Sequence, residues 1–181
     1  VREAIEILTD GSSCDLLTVS LALSEELLLG AGVVETLDEA RTKTRRAVET
    51  GAALERLGRM IELQGGDRAV VDHPERLSSA AETRRVGSEC AGYIKAVDAE
   101  SLGMSAMLLG AGRSKKEDTI DPAVGIVMNK RVGDPVEHDE CLCELHVNDK
   151  KNLDPVLERV RKAIVVSEER EAAPKIIYER I

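Results

Sequence analysis

The chain has 181 residues, 43% of them hydrophobic and 33% charged, which is enough to bury one sizeable core or two small ones. Its 34 acidic and 25 basic side chains give a formal net charge of -9, and its only aromatic residues are two tyrosines. Nucleic-acid binding needs a basic face and often stacking rings, so this composition argues against a nucleic-acid partner.

The cysteines and the longest apolar run indicate the cellular compartment of the protein. No N-terminal signal segment is evident, and the cysteines follow no disulfide framework, so we predict reduced thiols in the cytoplasm. The longest apolar run starts at Asp15, is interrupted by Glu25 and Glu26, and is too short to span a bilayer. We therefore predict a buried helix there and no membrane partner.

The first third of the chain is predicted to be helical. The opening segment VREAIEIL already has apolar residues at helical spacing from Val1. Asp15 is the predicted N-cap of the next helix, and Thr36 with Glu39 has the spacing of a capping box for a third. The helical pattern continues as far as Gln64 without any strand. Helices with such wide apolar faces need another element to pack on.

The rest of the chain is predicted to mix strands and helices. RVGSECAGYIKAV, VGIVMNKRV and ECLCELHV read as strands, AESLGMSAMLL as a helix, and KIIYERI as a terminal strand. An amphipathic helix is predicted from about Asp154 to Val166. Helices followed by antiparallel strands predict an α+β fold, with a helical part at 1–66, a linker at 67–85 and a C-terminal domain at 86–181.

The segment HDECLCELH, residues 138–146, is the first candidate site. In a strand, Cys141 and Cys143 share one face with Leu145, while His138 and His146 point to the other, so the four potential ligands do not converge. Two thiols one residue apart on a strand face are also poorly placed for a disulfide. A structural strand is therefore favoured over a metal site, and no zinc is expected.

Two further segments carry weaker signals. In LLGAGRSKKED, glycines precede Arg113, Lys115 and Lys116, which suggests an anion site, but the glycines follow a helix instead of opening one. A helix-terminating turn is favoured. The strand–turn–strand pattern around Gly133-Asp134 is similar to half of a lipoyl or biotinyl carrier, with Lys130 as the only nearby lysine for modification.

Several blocks in order carry a family resemblance. VREAIEIL, RTKTRRAVETGAALERLGRMIELQGGD, AMLLGAGRSKKEDTIDPAVGIVMNKRVGD, ELHVND and PKIIYERI together resemble the C-terminal part of a pyrimidine-nucleoside phosphorylase, and the chain is also similar to thymidine phosphorylase. The resemblance implies that 1–66 is the helical end of a mixed α/β domain and that 86–181 is a small hammerhead or barrel-sandwich-like α/β domain.

The resemblance also implies a function. Family members convert a pyrimidine nucleoside (thymidine, uridine or deoxyuridine) and phosphate into the base and a pentose 1-phosphate, as cytoplasmic homodimers. The family's phosphate-binding and base-binding motifs do not occur in this sequence, so no catalytic or substrate-binding residue is assigned and the isolated chain is expected to be inactive. One family site reaches the chain: Glu3 matches an oxygen ligand of a potassium ion, and it cannot form that site alone.

The resemblance places a strand at ECLCELH, and His138-Asp139 stands where relatives usually have a lysine–glycine turn. A positive φ at Asp139 is less favourable than at glycine. Two alternative functions stay open. One is a stand-alone carrier or binding module modified at Lys130, and the other is a structural piece whose apolar helical faces bind a partner chain.

Overall fold

The computed structural model describes residues 1–113 and 115–179. The chain divides into two compact units. The first comprises Val1–Leu77 and the residues from Lys175 onward, and the second comprises Ser78–Pro174. The division falls inside 67–85, the segment predicted as a linker. The predicted α+β class is confirmed, because helices and two small antiparallel sheets are both present.

The first unit consists of helices. Its elements are α1 (Arg2–Asp10), α2 (Asp15–Gly30), α3 (Leu37–Glu49), α4 (Ala52–Leu63) and two short 3-10 turns at Arg68–Val70 and Pro74–Arg76. Glycines in the left-handed region follow several of these helices, as at Gly11 (φ 65) and Gly65 (φ 80).

Side-chain caps define where two of these helices begin. The predicted capping box is confirmed in one half: the Glu39 amide donates to Thr36 Oγ1 at 3.2 Å. In the other half, a Glu39 carboxylate oxygen accepts at 3.0 Å from the amide of Glu35, one residue before the N-cap, instead of from the Thr36 amide. The predicted N-cap at Asp15 is wrong by one residue. Cys14 is the N-cap of α2, and its Sγ accepts from the Leu17 amide at 3.4 Å, so Asp15 is already helical.

The prediction that α2 is a buried helix is wrong for one of its faces. Ala22 and Glu25 are buried, whereas Leu16, Leu23 and Leu27 are 42%, 60% and 72% exposed. Among the described residues α2 packs chiefly against α3, and the few elements of this unit do not surround it. An apolar helix without neighbours on all sides leaves leucines in solvent.

The second unit mixes strands and helices. Its strands are β1 (Glu82–Gly87), β2 (Gly92–Val97), β3 (Gly125–Met128), β4 (Pro135–Val136), β5 (Cys141–Val147) and β6 (Ile164–Ser167). Its helices are α5 (Ala99–Ala106), continued by a π-helical turn at Met107–Ala111, and α6 (Leu153–Ala163). The strands form two antiparallel three-stranded sheets, ordered β1-β5-β3 and β4-β2-β6.

Both sheets and α6 contribute to one hydrophobic core. Leu145 in β5, Ile94 in β2 and Val156 in α6 are fully buried in this cluster. Because β5 is the central strand of its sheet, its backbone pairs with β1 on one edge and β3 on the other, and its apolar side chains pack into this core. This core holds the strands that carry the candidate site residues.

Two predicted element boundaries are wrong. The last helix ends at Ala163 instead of Val166, because Ile164, Val165 and Val166 are β-branched and pair with β2 as strand β6. The predicted terminal strand KIIYERI does not form over residues 175–179, which have extended sequence character but no partner strand. The last two residues of that segment lie outside the described residues.

Candidate functional site

The two thiols of HDECLCELH lie on strand β5, which confirms the predicted strand. Cys143, Leu145 and Val147 alternate into the core and are almost fully buried. Cys141 is only partly buried, and Leu142 on the other face is buried too, so the alternation predicted for this strand fails at its start. The cause is a bulge, because the β1–β5 register shifts between Val86 and Gly87.

The environments of the two thiols differ. Burial, followed by the nearby Cys141 and Glu144, raises the pKa of the Cys143 thiol to about 12, so this thiol is neutral and unreactive near pH 7. Cys141 Sγ accepts from the Asn129 side-chain amide at 3.3 Å and donates to the Cys143 carbonyl at 3.4 Å. A hydrogen bond with Cys141 raises the pKa of Arg85.

The histidines of the segment do not join the thiols. His138 is exposed and pairs with its neighbour, its Nδ1 lying 3.2 Å from Asp139 Oδ2, while His146 lies between Thr83 and Gly125 in the sheet. Within residues 1–113 and 115–179, no group of three or more His, Cys, Asp or Glu side chains could hold a metal ion. That no zinc site forms here remains a prediction, which stoichiometric submicromolar zinc binding that Cys141→Ser abolishes would contradict.

The turn before β5 contains a residue in the left-handed backbone region, a conformation less favourable for aspartate than for glycine. Asp139 has φ 61, the sole positive φ at a non-glycine position in the described part of the chain. Its amide donates to the Ser88 carbonyl at 2.9 Å, and the Ser88 amide donates to the Glu140 carbonyl at 3.0 Å. These two hydrogen bonds tie the turn to the end of β1, and aspartate tolerates the left-handed region better than most residues.

Lys130 is not presented at an exposed tip. Its Nζ lies 2.5 Å from a Glu140 carboxylate oxygen and donates to the Pro135 carbonyl at 2.9 Å, and its side chain is only 18% exposed. A carrier lysine has to present a free amine to a modifying enzyme. The contacts of Lys130 instead join β4 to the turn before β5, which is a structural role.

The glycine-rich loop after α5 ends the helix, as the sequence predicted. Gly110 has φ 107, and its carbonyl accepts from the Asp121 amide at 2.9 Å. The Leu108 carbonyl accepts from the Asn152 side-chain amide at 3.1 Å. The carbonyls of this helix end are thus satisfied by the chain itself, and carbonyl oxygens do not attract an anion.

A side-chain network around Asn148, which the sequence did not indicate, connects the loops at Ala81, Asp121 and Asn148. Asn148 donates to Asp121 Oδ2 at 2.7 Å and accepts from the Ala81 amide at 2.7 Å. Together with the Ala123 amide, this hydrogen bond lowers the pKa of Asp121. Asn148 lies in the quoted block ELHVND, but a lone asparagine after a strand gives no spacing signal. Its role emerges only from contacts between distant parts of the chain.

Glu3 lies in the first turn of α1 with an exposed side chain. A carboxylate oxygen suits a hard cation such as potassium, but the N-terminal end of a helix carries partial positive charge. One exposed carboxylate at this position does not form a potassium site by itself. The structure therefore leaves the predicted role of Glu3 dependent on ligands outside the described residues.

Comparison with known proteins shows which family the chain is similar to. Residues 93–167 match the family model for the pyrimidine nucleoside phosphorylase C-terminal domain. The chain is 38% identical over 181 residues to pyrimidine-nucleoside phosphorylases of the Staphylococcus aureus strains bovine RF122 / ET3-1, USA300 and NCTC 8325 / PS 47. Each match covers 100% of this chain and 41% of the relative, so the chain spans less than half the length of these curated relatives.

The matched residues hold most of the second unit, from β2 to β6, but leave out β1. They begin at Tyr93 in β2 and end at Ser167, the last residue of β6. None of the helices in the described residues combines the length and the apolar composition of a membrane-spanning helix. The chain is therefore similar along its whole length to pyrimidine-nucleoside phosphorylases, and its residues 93–167 are similar to their C-terminal domain.

Proposed function

We propose that this chain acts as the C-terminal part of a pyrimidine-nucleoside phosphorylase. The observation that supports this is the 38% identity that extends over all 181 residues and is not confined to one domain. In the proposed reaction, phosphate attacks the anomeric carbon of the pentose, the bond from that carbon to the pyrimidine nitrogen breaks, and the base leaves with the bonding electrons and takes up a proton. The products are the free base and a pentose 1-phosphate.

This reaction needs groups that the sequence of this chain does not supply. Positive charge develops on the sugar and negative charge on the leaving base, so the enzyme has to hold phosphate on one side and donate hydrogen bonds to the base on the other. The phosphate-loop motif Lys-x-Ser-Thr-Gly-Gly does not occur in the sequence. We expect the chain alone to be inactive and to complete an enzyme whose catalytic groups lie outside it.

The test uses two proteins. One is the 181-residue chain. The other is a fusion in which this chain follows the part of the S. aureus relative that precedes the matched region. Each is incubated with phosphate and either thymidine or uridine, and base release is followed by ultraviolet absorbance. Activity of the fusion and none of the chain alone is the expected result. A fusion that folds but releases no base from either nucleoside contradicts the proposal.

The proposal extends to potassium. In the complete protein, Glu3 supplies one oxygen to a potassium ion, with the other ligands outside the described residues. Its exposed carboxylate is consistent with this role, although the chain does not form the site alone. Glu3→Gln in the active fusion should raise the potassium concentration that gives half-maximal activity. Glu6→Gln, one helical turn further along the exposed side of α1, is the control and should not change it.

The complete protein is also proposed to be a cytoplasmic homodimer. Four free thiols are consistent with a reducing compartment. The carrier alternative loses its support, because the candidate Lys130 is engaged with Glu140 and Pro135. Intact mass of the purified protein tests that alternative, since covalent lipoate or biotin on Lys130 would add a fixed mass.

A further inference from the structure

A cavity of about 560 Å³ opens on the second unit between α6 and the turn that joins β1 to β2. Its volume lies within the range of roughly 300–1,000 Å³ that is typical of small-molecule sites. Every residue that lines it lies within Ser78–Pro174, so the cavity is formed by one compact unit. The cavity is therefore a candidate ligand site of the second unit.

The cavity has an apolar floor, and one of its walls is fixed by hydrogen bonds. Leu142 in β5 and Ile164 in β6 contribute to the floor and are 4% and 7% exposed. The wall formed by the turn is held by Ser88, whose Oγ donates to the Cys90 carbonyl at 2.7 Å and whose amide donates to the Glu140 carbonyl at 3.0 Å. Because this wall is already ordered, a ligand does not lose affinity by having to order it.

The charged side chains at the cavity are only partly paired. On the wall formed by α6, a Glu158 carboxylate oxygen lies 4.0 Å from Lys162 Nζ, so these two charges partly compensate each other. Within residues 1–113 and 115–179, Arg161 on the same wall and Glu89 in the turn make no hydrogen bond or ion pair. An exposed charge is ordinary by itself, whereas opposite charges on two walls beside an apolar floor complement a zwitterion with an apolar body.

We propose that this cavity binds a small zwitterion with an apolar body, such as an apolar amino acid or a short apolar peptide. The ligand carboxylate pairs with Arg161, whose planar guanidinium suits carboxylate geometry, and the ligand ammonium pairs with Glu89. The apolar body covers Leu142 and Ile164. A simple anion leaves Glu89 unpaired and a simple cation leaves Arg161 unpaired, so each binds more weakly. This site does not depend on the proposed function, because every residue that forms it lies in the second unit.

The test titrates the 181-residue chain with four probes at about pH 6.5, where amino groups are protonated, and follows the backbone amide resonances by two-dimensional NMR. L-leucine and the dipeptide L-leucyl-L-leucine are zwitterions. N-acetyl-L-leucine is an anion and L-leucine amide is a cation with the same apolar body. We expect saturable shifts at residues 87–90 and 158–166 with at least one zwitterion, and an affinity at least about tenfold higher than for the anion or the cation. The two zwitterions distinguish a free amino acid from a peptide.

Charge variants test the two contacts separately. Arg161→Gln and Glu89→Gln should each lower the affinity for the zwitterion at least about fivefold, because each removes one charge-assisted contact. Glu89→Gln should in addition strengthen binding of N-acetyl-L-leucine, because its carboxylate no longer faces a like charge. Arg159→Gln is the matched control, because Arg159 is exposed on the same helix but does not line the cavity, and it should leave both affinities unchanged.

Any of three results would overturn the proposal: no saturable shift with either zwitterion, equal affinity for zwitterion, anion and cation, or zwitterion binding that Arg161→Gln and Glu89→Gln leave unchanged. Comparison of the probes on the wild type needs no substitution, so it decides the question even where a variant fails to fold. Saturable shifts at the cavity that favour the zwitterion, and that both cavity variants weaken while Arg159→Gln does not, support it.

Discussion

Raising the pH from 8 to 10.5 should destabilise the second unit through one buried thiol. Cys143 is fully buried, and burial raises its pKa from 9.0 to about 12. In the folded protein the thiol therefore stays protonated across this range, whereas in the unfolded chain it ionises above pH 9. Its contribution to stability is complete below pH 9 and is lost progressively as the pH rises towards 12.

The size of the effect follows from this difference in pKa. A difference of one unit between the pKa values in the folded and the unfolded protein corresponds to about 1.4 kcal/mol. The free energy of unfolding should therefore fall by about 2 kcal/mol between pH 8 and pH 10.5 through Cys143 alone. Lysines and tyrosines also titrate in this range. A variant without the thiol is therefore needed to isolate its contribution.

The assay is urea unfolding of the wild type and of Cys143→Ala at both pH values. At pH 8 the variant should be less stable by about 1–2 kcal/mol, because a buried side chain is truncated. At pH 10.5 this difference should shrink to nearly zero or reverse. Cys90→Ala, at an exposed thiol, should follow the wild type throughout. A wild-type advantage over Cys143→Ala that is the same at both pH values would refute the reasoning.

Three further predictions concern the backbone and the caps. Gly92→Ala should destabilise the second unit by about 2–3 kcal/mol or more in urea unfolding, because the added Cβ would lie 2.5 Å from the Ser167 carbonyl oxygen. A loss of stability below about 0.5 kcal/mol would contradict this contact. Thr36→Ala should cost about 1 kcal/mol by removing the α3 cap, whereas Thr42→Ala on the exposed side of the same helix should cost much less. Asp139→Gly should be more stable than Asp139→Ala by about 1 kcal/mol because of the left-handed φ, and equal thermal midpoints for the two variants would count against that conformation.

The elements that the sequence predicted well are those with local signals. The cap at Thr36, the glycine turn at Gly110 and the strand Cys141–Val147, whose alternation holds from Cys143 onward, depend on residues that are close together in sequence. Such signals need no knowledge of the rest of the fold. The family resemblance then supplied the proposed function, which no spacing of catalytic residues in this chain could have supplied.

The predictions that failed depend on distant parts of the chain. Ile164 has the apolar spacing of a helix but leaves it, because β2 offers a pairing partner far away in sequence. The apolar pattern of α2 indicates a helix but does not indicate how many neighbours surround it. The network of Asn148 with Asp121 and Ala81 likewise joins three separated segments, and a single sequence does not reveal such a network.

The division of the chain into units has a consequence for the order in which the protein folds. The first unit is assembled from Val1–Leu77 and from the residues from Lys175 onward, so Ser78–Pro174 lies in sequence between two of its parts. During synthesis the second unit can fold as soon as Pro174 has emerged from the ribosome. The first unit is complete only when the segment from Lys175 onward has emerged, and until then the side of α2 at Val19 and Ala22 lacks its neighbour Ile177 and is open to a chaperone or a neighbouring chain.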